Sequence, residues 1–402
     1  MEVQFDKARL EDYDDVIDLG NYVFSQAHRP HDFPASLPKL YKREYFMDGI
    51  HYLAREGNRI KAAVGSYPLE LEFSGPGLPK TTLKGMGIGM VSVHPYSRSR
   101  GYMKELMNRA LEDMRRDGMV FSCLSGRRQR YEYFGYGRTG SRYTFSCNDD
   151  NIRHTLGQKW TTDLSFRPVG SGDQSLLDQI YAMHETKIAR LKRSRERLYD
   201  TLSSWNWRIF AVLKGESFEG YFVYRSGEQC EISEIQLKDY SRLPEVLGLL
   251  QSEAKAGSIL TPSGFHPIQI AAGPHEPEKI AALSRFAESY TQSPAYQFVV
   301  FDYLRFVAPF LKLKEKERNL ADGVFVLQIE GHPRLRLAVE RGAASITEIP
   351  GQGNADLGLK DLEALSFLFS PLASCNFPAI RKSVFLQSLL PLPLFYETAD
   401  EI

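Results

Sequence analysis

VSVHPYSRSRGYMKEL, residues 91–106, is the stretch on which the reading of this 402-residue chain turns. Two valines alternate out of a glycine-dotted run, a proline and two arginines follow, and a single glycine opens a strongly patterned helix. In that helix Met103, Leu106, Met107, Ala110, Leu111 and Met114 recur at helical spacing, while Lys104, Glu105, Asn108, Arg109, Glu112 and Asp113 fill the opposite face. Asp117-Gly118 is a natural stop. Residues 119–124 return as a buried strand, which predicts strand, turn, helix, strand. A tight turn that opens a helix presents backbone N–H groups without intrahelical partners. With the positive end of the helix dipole, those groups make a site for phosphate. Here residues 98–103 supply them: Arg98, Ser99, Arg100, Gly101, Tyr102 and Met103. The two arginines add positive charge suited to phosphate oxygens, and Gly101, having no Cβ, lets the backbone come close.

Composition narrows the partners. Lys plus Arg and Asp plus Glu number 50 each, so the whole molecule makes no electrostatic case for nucleic acid. Cys123, Cys147, Cys230 and Cys375 lie far apart, with no paired spacing for a metal or for redox work, which fits a reducing cytosol. The opening MEVQFDKARLEDYDD is acidic and lacks the regions of a signal peptide. The apolar run AYQFVVFDYLRFVAPFL is broken by Asp302 and Arg305 and is too short and charged to span a bilayer. A cytoplasmic location without a membrane span is the expectation.

An α/β (α+β) chain of three parts is expected. Residues 1–150 read as one α/β unit, with strands near 3–5, 52–54, 60–67 and 82–93 and a helix over 12–24. Residues 151–295 repeat the pattern weakly: SFRPVGSGDQSLLDQIYAMHE resembles the opening strand and helix, yet Leu237 leads into KDYSRLPE where the first part has its Arg-rich turn. Residues 296–402 hold a hairpin, GVFVLQIEGHPRLRLAVERG, a helix, LKDLEALSFLF, and a proline-containing tail. The basic run KIARLKRSRER, 187–197, reads as a solvated helix face or a subunit contact.

Two known phosphate loops fit the 91–106 stretch poorly. A P-loop needs a closing Gly-Lys-Ser/Thr, and a dinucleotide fingerprint needs its glycines after the strand, whereas GMGIG (85–89) lies before the turn and reads as a bulge or a flexible stretch of strand. The pattern V-x-V-x-P-x-x-R-x-x-G instead resembles the GNAT acetyltransferases, whose pyrophosphate turn reads Arg/Gln-x-x-Gly-x-Gly/Ala; Met103 stands here where the family has its second small residue. The resemblance implies that Val91 and Val93 bind acetyl-CoA through their backbone. Their strand would lie beside a diverging neighbour at 119–124, and the pantetheine arm would pair in the gap as an added strand. Gly126 and Arg127, just past that neighbour, are placed near the arm.

The family often sets a tyrosine four residues before a Gly-aromatic pair, as Tyr131 stands before Gly135-Tyr136. A tyrosine, of reference pKa about 10, can protonate a departing thiolate of about 8.5. Tyr133 and Tyr136 are its rivals. The incoming amine needs a base, because holding an alkylammonium neutral near pH 7 costs about 4 kcal/mol. The layout as a whole resembles the Eis (enhanced intracellular survival) family: an active N-terminal GNAT fold, a degenerate central copy and a C-terminal sterol-carrier-protein-like α/β domain. That resemblance implies a base in the carboxylate of Ile402, the last residue of the sequence, and a homohexamer. It implies an N-acetyltransferase acting on an amine of a polycationic small molecule, aminoglycoside-like, or on lysine side chains, with acetyl-CoA as cosubstrate and no metal. The alternative is a carrier of lipid or another apolar ligand through the last domain, with the GNAT parts as scaffold.

Overall fold

The computed structural model describes residues 2–26, 30–157, 159–226, 230–256, 267–351 and 353–402. The chain packs as two compact units. One holds 1–140, 294–393 and 401–402, and the other 141–293 and 394–400.

The first unit is built on a mixed sheet. Its early strands are β1 (Val3–Lys7), β2 (His51–Glu56), β3 (Arg59–Gly75), β4 (Leu78–Val93), β5 (Phe121–Leu124) and β6 (Gly137–Thr139). β1 to β5 lie side by side in chain order, and a late strand, Tyr296–Val300, inserts between β5 and β6. The apolar run around it thus serves the core. Asp302 caps the next helix, Tyr303–Glu317, by accepting from the Arg305 N–H at 2.9 Å, so the charge that broke the run marks the junction of strand and helix. The helix expected after the turn forms over Tyr102–Arg116. Leu106, Met107, Ala110, Leu111 and Met114 are buried against β2, β3 and β4, as their spacing predicts. A second sheet in this unit has four strands between Gly323 and Leu359, and Phe325 on it stacks on Phe367 of the Asp361–Phe369 helix.

The second unit has its own seven-stranded sheet. Within it the strand Cys230–Leu237, the helix Leu243–Ala256 and the strand Ile268–Ala272 repeat the strand, helix, parallel strand of the first unit. The turn differs in chemistry. Asp239 accepts from the Ser241 N–H at 2.8 Å, so a carboxylate, held below its usual pKa by the Ser241 side chain and then by that N–H, occupies the place where an anion would dock.

The basic run 187–197 departs from expectation. Residues 189–191 are strand, Arg193 is buried, and only 10 % of the Lys187 side chain is exposed. Lys187 reaches Glu234 at 2.6 Å and Glu397 at 2.5 Å, and Arg193 reaches Glu234 and Asp400, each at 2.7 Å. Carboxylates placed on both sides make the burial of these cations tolerable, and periodicity carries no sign of such pairing. Arg193→Met is therefore expected to lower stability by about 3–5 kcal/mol, because Asp400 and Glu234 would both stay buried after losing this cation, Glu234 keeping only Lys187. Arg153→Met, which breaks an exposed pair with Asp150, is expected to cost about 1 kcal/mol or less. Urea unfolding of both variants checks the contrast.

Candidate active site

The site begins where two strands part. β4 and β5 run parallel through Gly85↔Phe121, Met86↔Ser122, Gly87↔Cys123 and Ile88↔Leu124. β5 then ends, while β4 continues to Val93. On its other edge β4 pairs with β3, and there the register shifts: Gly65 faces Gly89, but Ala63 faces Ser92. Val64 thus stands opposite two residues, and Met90 takes φ 46°. This is a β-bulge, and it lies one residue beyond the GMGIG run. The extra residue switches which side chains point to which face. Met86 and Ile88 before it, and Val91 and Val93 after it, all pack into the core against the Tyr102–Arg116 helix. Beyond Gly89, β4 leaves its β5 side unpaired by that strand.

The turn follows. Ser99 and Gly101 both have positive φ, 65° and 80°. The first bond of the helix runs from the Glu105 N–H to the Gly101 carbonyl at 3.0 Å, so the N–H groups of residues 101–104 have no intrahelical acceptor. A Cβ on Gly101 would meet nothing within 4 Å, so its backbone faces open space. A pocket of about 770 Å³ opens here. Val91, Val93, Arg98, Ser99, Arg100, Gly101, Tyr102 and Met103 line one wall, and Gly126, Arg127 and Tyr131 the other. Every expected cofactor residue and the expected acid therefore share one cavity.

The charges in it are unequal. Arg100 is tied to Glu56 at 2.7 Å, and the Tyr102 hydroxyl donates to the same carboxylate at 2.5 Å, which holds Glu56 below the usual carboxylate range. Arg98, Arg127 and Arg130 line the pocket without an ion pair among the described residues. Sequence reasoning missed Arg130, Lys104 and Glu56; only Glu56, distant in sequence, carried no local signal.

Three tyrosines now separate. Tyr136 is fully buried, its hydroxyl 2.8 Å from Ser122 Oγ, and serves the core. Tyr133 is 64 % exposed and lies under Lys104, whose Nζ is 5.2 Å from its ring centre. Tyr131 is buried at the pocket wall, its ring so close to Gly126 that a Cβ there would come within 2.4 Å. Burial raises its pKa, opposed by neighbouring Arg130. The Gly126 carbonyl accepts from Gln297 Nε2 at 2.7 Å, which fixes the loop beneath the ring.

Ile402 does not line this pocket. Its side chain lies on β4 at Gly87 and Gly89, where the strands part. The Glu401 carbonyl accepts from the buried Lys39 Nζ at 2.5 Å, and the Glu401 carboxylate lies 3.4 Å from Ser125 Oγ, a pocket residue. Tyr41, Tyr67 and His51, none of them singled out by the sequence, are buried on the same side. Tyr67 Oη is 2.9 Å from His51 Nε2, and burial drives the histidine pKa down to about 3.

Comparison with known proteins agrees with this geometry. Residues 4–139 match the family model described as an acetyltransferase (GNAT) domain. No curated protein matches the chain in sequence. Among solved structures, a GCN5-related N-acetyltransferase from Kribbella flavida is similar at 17 % identity and TM-score 0.65, over 100 % of this chain and 98 % of that one. A probable N-acyltransferase from Enterococcus faecalis V583 gives 16 % and 0.68, and Eis1 from Mycobacterium abscessus 13 % and 0.62, each over 100 % of both chains. At these identities the likeness is one of fold. Residues 4–139 thus carry the match to a GNAT acetyltransferase domain, and that match together with the shared fold supports an N-acetyltransferase. No helix among the described residues is long and apolar enough to cross a membrane.

Gly101→Ala tests the turn. An L residue in the left-handed region costs about 1–2 kcal/mol. The fraction of molecules with the turn correctly formed is then expected to fall about tenfold, and the KM for acetyl-CoA to rise by the same factor. Initial-rate kinetics decide it, and an unchanged KM would remove the turn from the cofactor site.

Proposed function

We propose that the protein transfers the acetyl group of acetyl-CoA to a primary amine by direct attack. The acceptor is an amine of a polycationic, aminoglycoside-like small molecule, with a lysine side chain as second choice. The observation that carries the reading is the single cavity that gathers the turn at 98–103, the free edge of β4 and Tyr131.

Acetyl-CoA supplies an activated acyl carbonyl. On this reading the N–H groups and Arg98 at the helix start hold the pyrophosphate, and the main chain of Val91 and Val93 receives the pantetheine arm. The ammonium gives up one proton to the Ile402 carboxylate, directly or through water; the neutral nitrogen then bonds to the carbonyl carbon and releases its second proton to solvent. The C–S bond then breaks, and the thiolate takes a proton from Tyr131. The buried Tyr131 stays protonated to a higher pH than a free tyrosine, as an acid must. The three segments 1–150, 151–295 and 296–402 are read as catalytic GNAT fold, degenerate copy and sterol-carrier-like domain. An Eis-type homohexamer in the cytoplasm belongs to the same reading. Against the carrier alternative stands the cavity at residues 301–348, about 240 Å³ and bordered by Asp302, His332 and Glu348, which is small and polar.

Tyr131→Phe is expected to lower kcat about a hundredfold or more, with the KM for acetyl-CoA nearly unchanged. The alkaline limb of the wild-type kcat profile is expected above the ordinary tyrosine range and is lost in the variant. A larger effect from Tyr133→Phe would move the acid elsewhere. Appending a few residues after Ile402 converts its carboxylate into a peptide bond and is expected to lower kcat to a similar degree while acetyl-CoA still binds. Equal rates for the extended and native proteins would remove the terminus from the mechanism.

A further inference from the structure

The glycine run before the turn has no part in the phosphate site, yet its glycines fall on one face of β4 at every second position. What each would meet if it carried a Cβ is informative. At Gly87 that atom would lie 1.9 Å from Ile402 Cδ1 and 3.1 Å from its Cγ1. At Gly89 it would lie 2.8 Å from Ile402 Cγ2, with Tyr41 Oη and Tyr67 Cε2 each at 3.1 Å. All three outer carbons of the last side chain thus occupy the space that two absent side chains leave. Lys39 Nζ donates to the preceding carbonyl, that of Glu401, at 2.5 Å.

We infer that Gly87 and Gly89, with Lys39, form a seat for the last residue, and that these are positioning residues which fix where the carboxylate of Ile402 stands. The catalytic consequence rests on the function proposed above; the seat itself does not. Two glycines at alternate positions of a central strand weaken it and demand a reason, and a chain segment lying directly on the backbone supplies one.

The geometry makes the test clean. At Gly87 the only atom within 3 Å of an added Cβ is the far end of the Ile402 side chain, followed by Ile402 Cγ1 at 3.1 Å and Leu69 Cδ1 at 3.2 Å. Gly87→Ala therefore displaces the last residue and leaves the sheet intact. Displacement of a catalytic group by about 1 Å can cost about a hundredfold, so kcat is expected to fall by that order with the KM for acetyl-CoA unchanged. Ile402→Ala, combined with Gly87→Ala, removes the clashing carbons and is expected to restore at least tenfold of the loss, which a merely structural defect at Gly87 would not allow. Release of residue 402 by carboxypeptidase, measured on the full-length protein, reads the seat without catalysis. Wild type is expected to resist trimming, and Gly87→Ala to lose Ile402 faster. Faster trimming with unchanged kcat would uphold the seat and overturn the catalytic role of the terminus. Trimming and kcat both equal to wild type would overturn the seat.

Discussion

The separation of β4 from β5 is the constraint on which the rest of the first unit depends. The two strands hold register for four residue pairs and then part at Gly89 and Leu124. A straight ladder would continue, leaving no unpaired main chain and no room for a ligand. The bulge at Met90 prevents that, because one extra residue raises the local twist and reverses the alternation of faces. It also keeps Val91 and Val93 packed beneath the helix after the phase change. The helix start, and with it the unpaired N–H groups, is thereby held at the mouth of the opening.

Charge is arranged locally in a chain whose formal net charge is zero. Arg98, Arg127 and Arg130 line the pocket without an ion pair among the described residues, while Glu56 engages Arg100 and also holds Tyr102 at the first position of the helix. The second unit does the opposite and buries its charges in pairs. There Lys187, Arg193 and Lys279 meet Glu234, Glu276, Glu397 and Asp400, one carboxylate more than the cations can balance. Burial pushes Glu397, against the pull of Lys187, up to about 7. Its raised pKa means that its ionisation works against the fold as the pH rises from its ordinary range through about 7.

The sequence revealed local chemistry well and long-range partnership poorly. The 3.6-residue spacing of Leu106 to Met114 and the turn at 98–103 each depend on neighbours in the chain, and both stand where they were expected. Glycine spacing at 85–89 was visible, but its meaning was not, since the atoms that fill the gaps belong to residues 41, 67, 121 and 402. The strand Tyr296–Val300 has the β-branched and aromatic composition of a strand, yet nothing local says that it inserts beside β5. Lys187 and Arg193 misled for the same reason: a cation looks solvated until its carboxylates are found, here at 234, 397 and 400.

The two faces of β4 give the proposed chemistry its direction. Val91 and Val93 point into the core shared with the helix and with Tyr131. Ile402 lies on the opposite face, over Gly87 and Gly89. Acyl transfer needs two proton movements at opposite ends of one reacting centre: a proton leaves the attacking nitrogen, and another reaches the departing sulfur. If acid and base shared a face, each could neutralise the other and neither would be well placed for its own atom. A strand edge left open between them lets the reacting carbonyl lie at the boundary, with the sulfur toward Tyr131 and the amine toward the chain end. On the proposed reading the same edge would supply backbone groups for the arm, so that one element would set both position along β4 and side of the sheet. On this view the bulge does more than open a pocket. By reversing the alternation of faces within one strand, it lets residues two positions apart serve the two sides of a single reaction.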